Sequence, residues 1–307
     1  MDLSEKDPGA PRPRVSIGMP VYNGAEFIGA AIRSMLDQTF RDIELIICDN
    51  ASNDDTAEIC RRIAASDKRV RFFANPVNIG VTANYNKAFE HARGEYFKWA
   101  SANDYCAPEM IERCVEVLDR RPDAVLCYPR TRLFDVELDD GKDYDDNLDL
   151  QEDDPASRFG HLIDRITLNN VLNGLIRADT LRRTPLQHAY WGSDHNLVAE
   201  LTLHGKFVEV PERLFYRRIN GQAHSSQRSE RDIQRNFWPN DKHALTLQTW
   251  RLHWEYFAAV SRAPLAYGVK WRIYRYLVKR MNRRREDLLY EFTWTLKKQL
   301  KGSARGS

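Results

Sequence analysis

Between Val15 and Ala100 the chain repeats one pattern three times and begins it a fourth: a short, largely apolar run, a polar loop, then a stretch with apolar residues every three or four positions. Val15-Ser16-Ile17-Gly18-Met19, Ile43-Glu44-Leu45-Ile46-Ile47-Cys48, Val70 to Ala74 and Tyr96 to Ala100 read as strands. Glu26 to Gln38 carries Phe27, Ala31, Met35 and Ile28, Ile32, Leu36 at helical spacing; Ser52-Asn53-Asp54-Asp55 can cap a helix bearing Ile59 and Ile63; a third helix runs from Asn78-Ile79-Gly80 to about Ala92. Strands alternating with helices of this length imply βαβ units, hence an α/β fold with a mostly parallel sheet and helices on both faces.

Such a sheet takes ligands in the crevice outside the carboxyl ends of its strands. Standing there are Pro20-Val21-Tyr22-Asn23-Gly24, Asp49-Asn50-Ala51-Ser52, Asn78-Ile79-Gly80 and, after the fourth strand, Ser101-Ala102-Asn103-Asp104. Asp104 can meet a charged ligand or its cation, and Asp49 can accept the N–H of a pyrimidine base. Asn103-Asp104 before Pro108 also suits a turn with a helix cap.

Further on, Pro108 to Arg120 reads as a helix and Ala124 to Tyr128 as a strand. Trp191-Gly192-Ser193-Asp194 leads into a helix bearing Leu197, Val198, Leu201 and Leu203 that stops at Gly205; Phe207 to Val210 and Leu214 to Arg218 read as two final strands. A net charge of +2 hides two opposed blocks: eleven acids and one base from Asp135 to Asp154, and fifteen Lys and Arg against five acids from Asp241 onward. The first reads as a solvated loop. In the second, Trp250, Trp254 and Phe257 share a helix face, as do Tyr267, Trp271 and Tyr274, among Arg272, Arg275, Lys279, Arg280 and Arg283 to Arg285. Such helices can pack their aromatics onto the domain or lie in the plane of an anionic membrane.

Several classes are excluded. No G-x-G-x-x-G follows the first strand, and neither a G-x-x-x-x-G-K-[ST] phosphate loop nor a G-x-S-x-G elbow occurs. Five cysteines without a C-x-x-C pair argue against a disulfide framework or structural zinc. The basic tail matches no nucleic-acid module, so no nucleic-acid partner is expected. No run approaches eighteen apolar residues and no basic-then-apolar leader opens the sequence, so a cytoplasmic protein is expected, with peripheral contact at the inner face of the cell membrane if the basic helices touch lipid.

Taken together, Val15 to Asn23 with Phe27-Ile28, Ser34-Met35-Leu36-Asp37-Gln38-Thr39-Phe40, Glu44 to Thr56, Asn78-Ile79-Gly80 with Asn86, and Gly94-Glu95-Tyr96-Phe97 leading into Asn103-Asp104-Tyr105 closely resemble the N-terminal half of family 2 glycosyltransferases of the GT-A fold. The match covers roughly residues 15 to 130, and more loosely extends to about Ser226. The resemblance implies a Rossmann-like GT-A domain over 15–235, divided into a nucleotide-binding half (15–105) and an acceptor half (106–235) with the acidic insert at 135–154. A disordered lead-in (1–14) precedes it, and a basic helical region with a flexible tail (236–307) follows.

It further implies a nucleoside-diphosphate sugar of the UDP, dTDP or GDP type as donor and a saccharide or lipid-linked hydroxyl as acceptor. The positions matching Pro20, Tyr22, Asn23, Asp49 and Ser52 would line the base and ribose pocket, with Asn78 and Gly80 nearby. Asn103 and Asp104 would hold Mn²⁺ or Mg²⁺ on the diphosphate, helped by Arg217, Arg218 or His224, the last as a further metal or phosphate ligand. Arg217 and Arg218 alternate along a strand, so one of them is expected to face the ligand. Asp194 would act as general base in an inverting single displacement. The family's usual D-x-D motif is reduced here to Ser101, Ala102, Asn103 and Asp104, and its common Glu-Asp pair is Ser193-Asp194. The single carboxylate leaves open a rival, a sugar-nucleotide or glycan-binding protein that keeps the fold without turnover.

Overall fold

The computed structural model describes residues 12–219 apart from 137 and 139, together with 237, 239 and 247–303, and the side chains among them as far as 295. The expected strands are present as β1 (Val15–Val21), β2 (Ile43–Asp49), β3 (Val70–Ala74) and β4 (Tyr96–Trp99). Between them lie α1 (Ile28–Leu36), α2 (Thr56–Ser66) and α3 (Val81–Glu90). All four strands are parallel, in the order β3-β2-β1-β4. Every residue of β1 and β2 is buried, as expected of strands covered on both faces. Ser16 and Glu44, buried polar residues within them, satisfy each other: the Ser16 hydroxyl donates to Glu44 Oε1 at 2.6 Å, while Arg71 and Arg93 pair with Glu44 Oε2 at 3.0 and 2.8 Å.

Beyond β4 come β5 (Tyr105–Cys106), α4 (Met110–Arg120), β6 (Ala124–Phe134), β7 (Lys142–Tyr144), α5 (Pro155–Arg165), a 3-10 turn at Asn170–Asn173, β8 (Leu175–Arg177), α6 (Ala178–Leu181), α7 (Ser193–His204) and β9 (Lys206–Arg218). The nine-stranded sheet continues from β4 through β8, β6, β9 and β5, with β7 paired to β6. Here it becomes mixed. The 3-10 turn delivers β8 at the carboxyl end of β4, so β8 runs back antiparallel along it, with Phe97 opposite Ile176.

Two local expectations change. The last two anticipated strands are one, β9, because Pro211 and Glu212 are looped out as a bulge: Pro129 pairs with Val210 and its neighbour Arg130 with Arg213. The acidic insert is more than a solvated loop. It supplies β7, buries Leu148 and Leu150 completely, and brings Asp146 to 5% exposure. The apolar pair draws the chain inward, and the Leu148 N–H donates to the Tyr128 hydroxyl.

Successive residues of the central strands feed two cores on opposite faces. Tyr96 packs with Ile17, Met19, Ile32 and Met110, whereas Phe97 and Trp99 pack with Phe89, Leu162, Val198 and Leu201. The second core also receives α8 (Gln248–Arg262) and α9 (Tyr267–Arg283) through Tyr256, Ala259, Val260, Ile273 and Leu277; α10 (Arg285–Ser303) follows. The aromatic stripes singled out in the sequence coincide with this packing surface only in part, through Phe257 and Tyr274, which pack against the core. Trp254, Tyr267 and Trp271 stay 73%, 80% and 55% exposed, and Phe257 stacks on Tyr274.

Candidate active site

A cavity of about 350 Å³ opens at the carboxyl ends of β1 and β4. Of the residues expected to serve a ligand, Pro20, Tyr22, Asn23, Asn78, Asn103, Asp104, Asp194, Arg217 and Arg218 all line it. Asp49, Ser52 and Gly80 are not on its wall and stand among the loops that build it; His224 lies outside the described residues.

The first wall is a web of side-chain amides and hydroxyls. Asn23, in the left-handed region at φ +51°, receives the Asn53 N–H on its Oδ1 at 3.0 Å, and its own N–H donates to Ser52 Oγ at 2.9 Å. The Ser52 hydroxyl in turn donates to Asp49 Oδ1 at 2.5 Å, so the loops after β1 and β2 are stitched together over a 2% exposed carboxylate. Asn50 links this web to the loop after β3. Its Nδ2 donates to Asn78 Oδ1 at 2.9 Å, and its Oδ1 accepts from Asn75 and from the Ile79 N–H. Gly80, at φ +89° and ψ 157°, holds a backbone conformation nearly closed to other residues and starts α3.

At the far side, β4 ends in Lys98 and Trp99, and the chain turns through Ser101-Ala102-Asn103 to Asp104. Asp104 is 7% exposed, and its Oδ1 accepts the Arg218 N–H at 2.9 Å. Burial pushes its carboxyl above the usual range, against the pull of that hydrogen bond and of Arg217. The Arg218 guanidinium lies 4.5 Å from the ring centres of both Phe27 and Phe134 and donates to the Asp135 carbonyl at 2.6 Å. It is held as a cation–π filling beneath Asp104. Lys98, 1% exposed, donates to the Asn173 carbonyl. Both arginines at the end of β9 line the cavity, but the Arg218 guanidinium is committed to Phe27, Phe134 and the Asp135 carbonyl.

Asp194 enters from the opposite side. Gly192 at φ +85° makes the turn that starts α7, placing Asp194 in the first helical turn, where the partial positive charge of the helix end favours a carboxylate. Its Oδ2 accepts from Asn169 Nδ2 at 2.8 Å and lies 3.9 Å from His195 Nε2. Arg217 donates to the Leu168 carbonyl and to Asn170 Oδ1. Tyr85 feels both carboxylates: its phenol is pushed up to about 12 by burial first, then by Asp104 and Asp194.

Sequence reasoning named Asn50 only as part of the loop after β2, and missed Asn84, Tyr85, Leu168, Asn169, Leu172 and Asn173 on the wall, and Asp146 and Asn170 behind it. The Asn at strand ends was a visible signal for Asn50; Asn84 stands inside α3, and it and the others are joined to the site only by tertiary contact. As for a metal, no three His, Cys, Asp or Glu side chains cluster among the described residues. Asp104 offers one carboxylate with an oxygen already engaged by Arg218, and Asn103 adjoins it. Mg²⁺ and related hard cations keep several waters and bind through one or two carboxylates plus phosphate oxygens, so this donor set fits a cation once a diphosphate supplies the remaining oxygens.

With this geometry, likeness to known proteins can be weighed. The chain is 39% identical over 101 residues to an uncharacterized glycosyltransferase of Haemophilus influenzae, which takes in 33% of this chain and 40% of that protein. The chain therefore spans well under half the length of this curated relative. In fold, it is similar to S. aureus TarS 1-349, solved in complex with UDP-GlcNAc (TM-score 0.64, 15% identity, 87% of this chain and 72% of that one). It is also similar to the mannosyltransferase PcManGT from Pyrobaculum calidifontis, solved with GDP-Man and Mn²⁺ (TM-score 0.51, 15% identity, 85% and 78%). The sheet and its flanking helices are those of the GT-A architecture. The model of the family described as glycosyl transferase family 2 matches residues 16–183, more than half of the sequence, and the chain belongs to that family.

Proposed function

We propose that this protein transfers a sugar from a nucleoside-diphosphate sugar to a hydroxyl of a saccharide or lipid-linked acceptor, with inversion. The observation that carries the reading is one cavity walled on one side by the loops after β1, β3 and β4 and on the other by Asp194. In this reading, Pro20, Tyr22, Asn23 and Asn78 take the base and ribose, with Asp49, Ser52 and Gly80 fixing the loops beneath. Residues 15–105 serve the donor, 106–235 the acceptor, and 236–307 form a basic C-terminal region.

Asp194 takes the proton of the acceptor hydroxyl, whose oxygen attacks the anomeric carbon. The bond from that carbon to the diphosphate oxygen breaks on the opposite side, and the nucleoside diphosphate leaves with the electron pair. Arg217, with Arg218 behind Asp104, supplies positive charge where the leaving group becomes more negative. Mn²⁺ or Mg²⁺ held by Asp104, with Asn103 assisting, would add Lewis-acid neutralisation of the same oxygens.

The lone carboxylate at Ser101–Asp104 favours a second reading, a sugar-nucleotide-binding protein without turnover, and Asp194 at the helix end favours the enzyme. Turnover decides between them. General bases contribute ~10²–10⁴-fold, so Asp194→Asn should lower transfer by at least ~10²-fold while leaving the affinity for the nucleoside diphosphate within a factor of about two. Transfer that survives this change would remove Asp194 from the base role.

We further propose a peripheral membrane contact through α8 and α9. Trp254, Tyr267 and Trp271 face outward beside Arg272, Arg275, Lys279 and Arg283, the composition of a surface that settles into anionic headgroups. Among the described residues, no helix is long and apolar enough to cross a membrane.

A further inference from the structure

We propose that the turn at 168–173 is a positioning device for both charged groups of the transfer, Asn170 setting Arg217 against the leaving diphosphate and Asn169 setting Asp194 against the acceptor hydroxyl. The inference rests on the transferase reading above and adds to it residues that touch neither reacting atom.

Two neighbouring asparagines do opposite jobs here because the backbone turns over between them. Asn169 sits in the left-handed region at φ +53°, and Asn170 opens the 3-10 turn. Asn169 Nδ2 donates to Asp194 Oδ2 at 2.8 Å. Asn170 Oδ1 accepts from Arg217 Nη1 at 2.6 Å, and Arg217 also donates to the Leu168 carbonyl. The other end of the Asn170 amide is fixed by a buried acid from the distant insert: Asn170 Nδ2 donates to Asp146 Oδ2 at 3.2 Å, which also accepts from Thr131 Oγ1 at 3.3 Å.

These partners offset only part of the cost of the arrangement. Asn169 and Asn170 are 5% and 2% exposed, and burying amides is unfavourable unless their bonds are made. Asn169 Oδ1 is buried with no hydrogen-bond partner. The amide therefore does not serve to satisfy the turn; its side-chain bond goes to Asp194. Leu168, Asn169 and Asn173 line the cavity directly, so the turn presents this scaffold at the point where donor and acceptor would meet.

The test uses the whole chain and two variants. Asn169→Gly removes the amide from a position whose backbone glycine adopts freely. Asn170→Leu keeps the bulk and removes the acceptor for Arg217, with Asn170→Ser as the substitute if Asn170→Leu melts at a lower temperature than the unaltered chain. Binding of UDP, dTDP and GDP, and of uridine, thymidine and guanosine, is measured by calorimetry; turnover is measured as nucleoside diphosphate released from the matching nucleotide sugar. Hydrogen bonds to charged groups are the strong ones, so Asn170→Leu should weaken the nucleoside diphosphate about tenfold or more and spare the nucleoside. Asn169→Gly should lower kcat about tenfold or more and leave the donor KM within a factor of about two. Both variants moving KM and kcat together, or neither moving either, would overturn the proposal. If the unaltered chain binds none of the three diphosphates, the transferase reading falls first, and the positioning role falls with it.

Discussion

At Asp146, burial and function pull in opposite directions. The carboxyl is pushed up to about 6, chiefly by burial, although Asn170, Thr131 and the charge of Arg217 all favour its ionised form. A carboxylate near 3.9 when unfolded and near 6 when folded binds more protons in the folded chain. Its ionisation therefore costs stability as pH rises from about 4 through 6, by about 3 kcal/mol at the plateau. Asp146→Asn should accordingly unfold at higher urea than the unaltered chain at pH 8, and the advantage should shrink towards zero as the pH falls below about 4. A variant less stable at pH 8 would mean that the charge serves the fold. Residues of this kind were not legible in the sequence. Asp194 and Asp104 stand in ordered motifs beside strands and helices that periodicity reveals, whereas Asp146 is one of eleven acids in a run, distinguished only by the Leu148 and Leu150 that carry it inward.

Among elements, the 3-10 turn and β8 hold the site together, and Gly174 is the joint between them. A Cβ there would lie 2.6 Å from the Cys127 carbonyl oxygen and 2.8 Å from Tyr128 Cβ, both on β6. Gly174→Ala must push the turn off β6, and overpacking of this sort costs about 1–3 kcal/mol. It should lower the melting temperature and turnover together, unlike the Asn169 and Asn170 variants; an unchanged melting temperature would show that β6 yields. The parallel strands β1, β2 and β4 were legible because each is buried on both faces and so reads as a largely apolar run, while the edge strand β3, partly exposed, was legible from its spacing between two helices. The bulge that merges the last two anticipated strands was not, since Pro211-Glu212 has the composition of a loop and only its partner β6 keeps the chain in register.

For the whole molecule, the two opposed charge blocks acquire places. Part of the acidic insert is built into the sheet beside the cavity, and the basic block becomes helices whose apolar side joins the core while aromatics and arginines face outward. The sequence pattern located these helices but could not tell their two faces apart, because both carry aromatic residues. The chain should sediment with vesicles containing anionic lipid and not with zwitterionic ones, with binding weakening as salt screens the attraction over roughly 10 Å at 0.1 M. Equal binding to both vesicle types would leave the basic residues without that role.

The central claim is that the cavity between the strand ends and Asp194 takes a nucleoside diphosphate. A thermal-shift screen of the unaltered chain with UDP, dTDP, GDP and CMP, each with and without Mn²⁺, addresses it most directly, since a ligand that binds only the folded state raises the melting temperature by mass action. We expect one diphosphate to raise it, and Mn²⁺ to enlarge the shift through Asp104; no shift with any nucleotide, with or without the cation, would contradict the account.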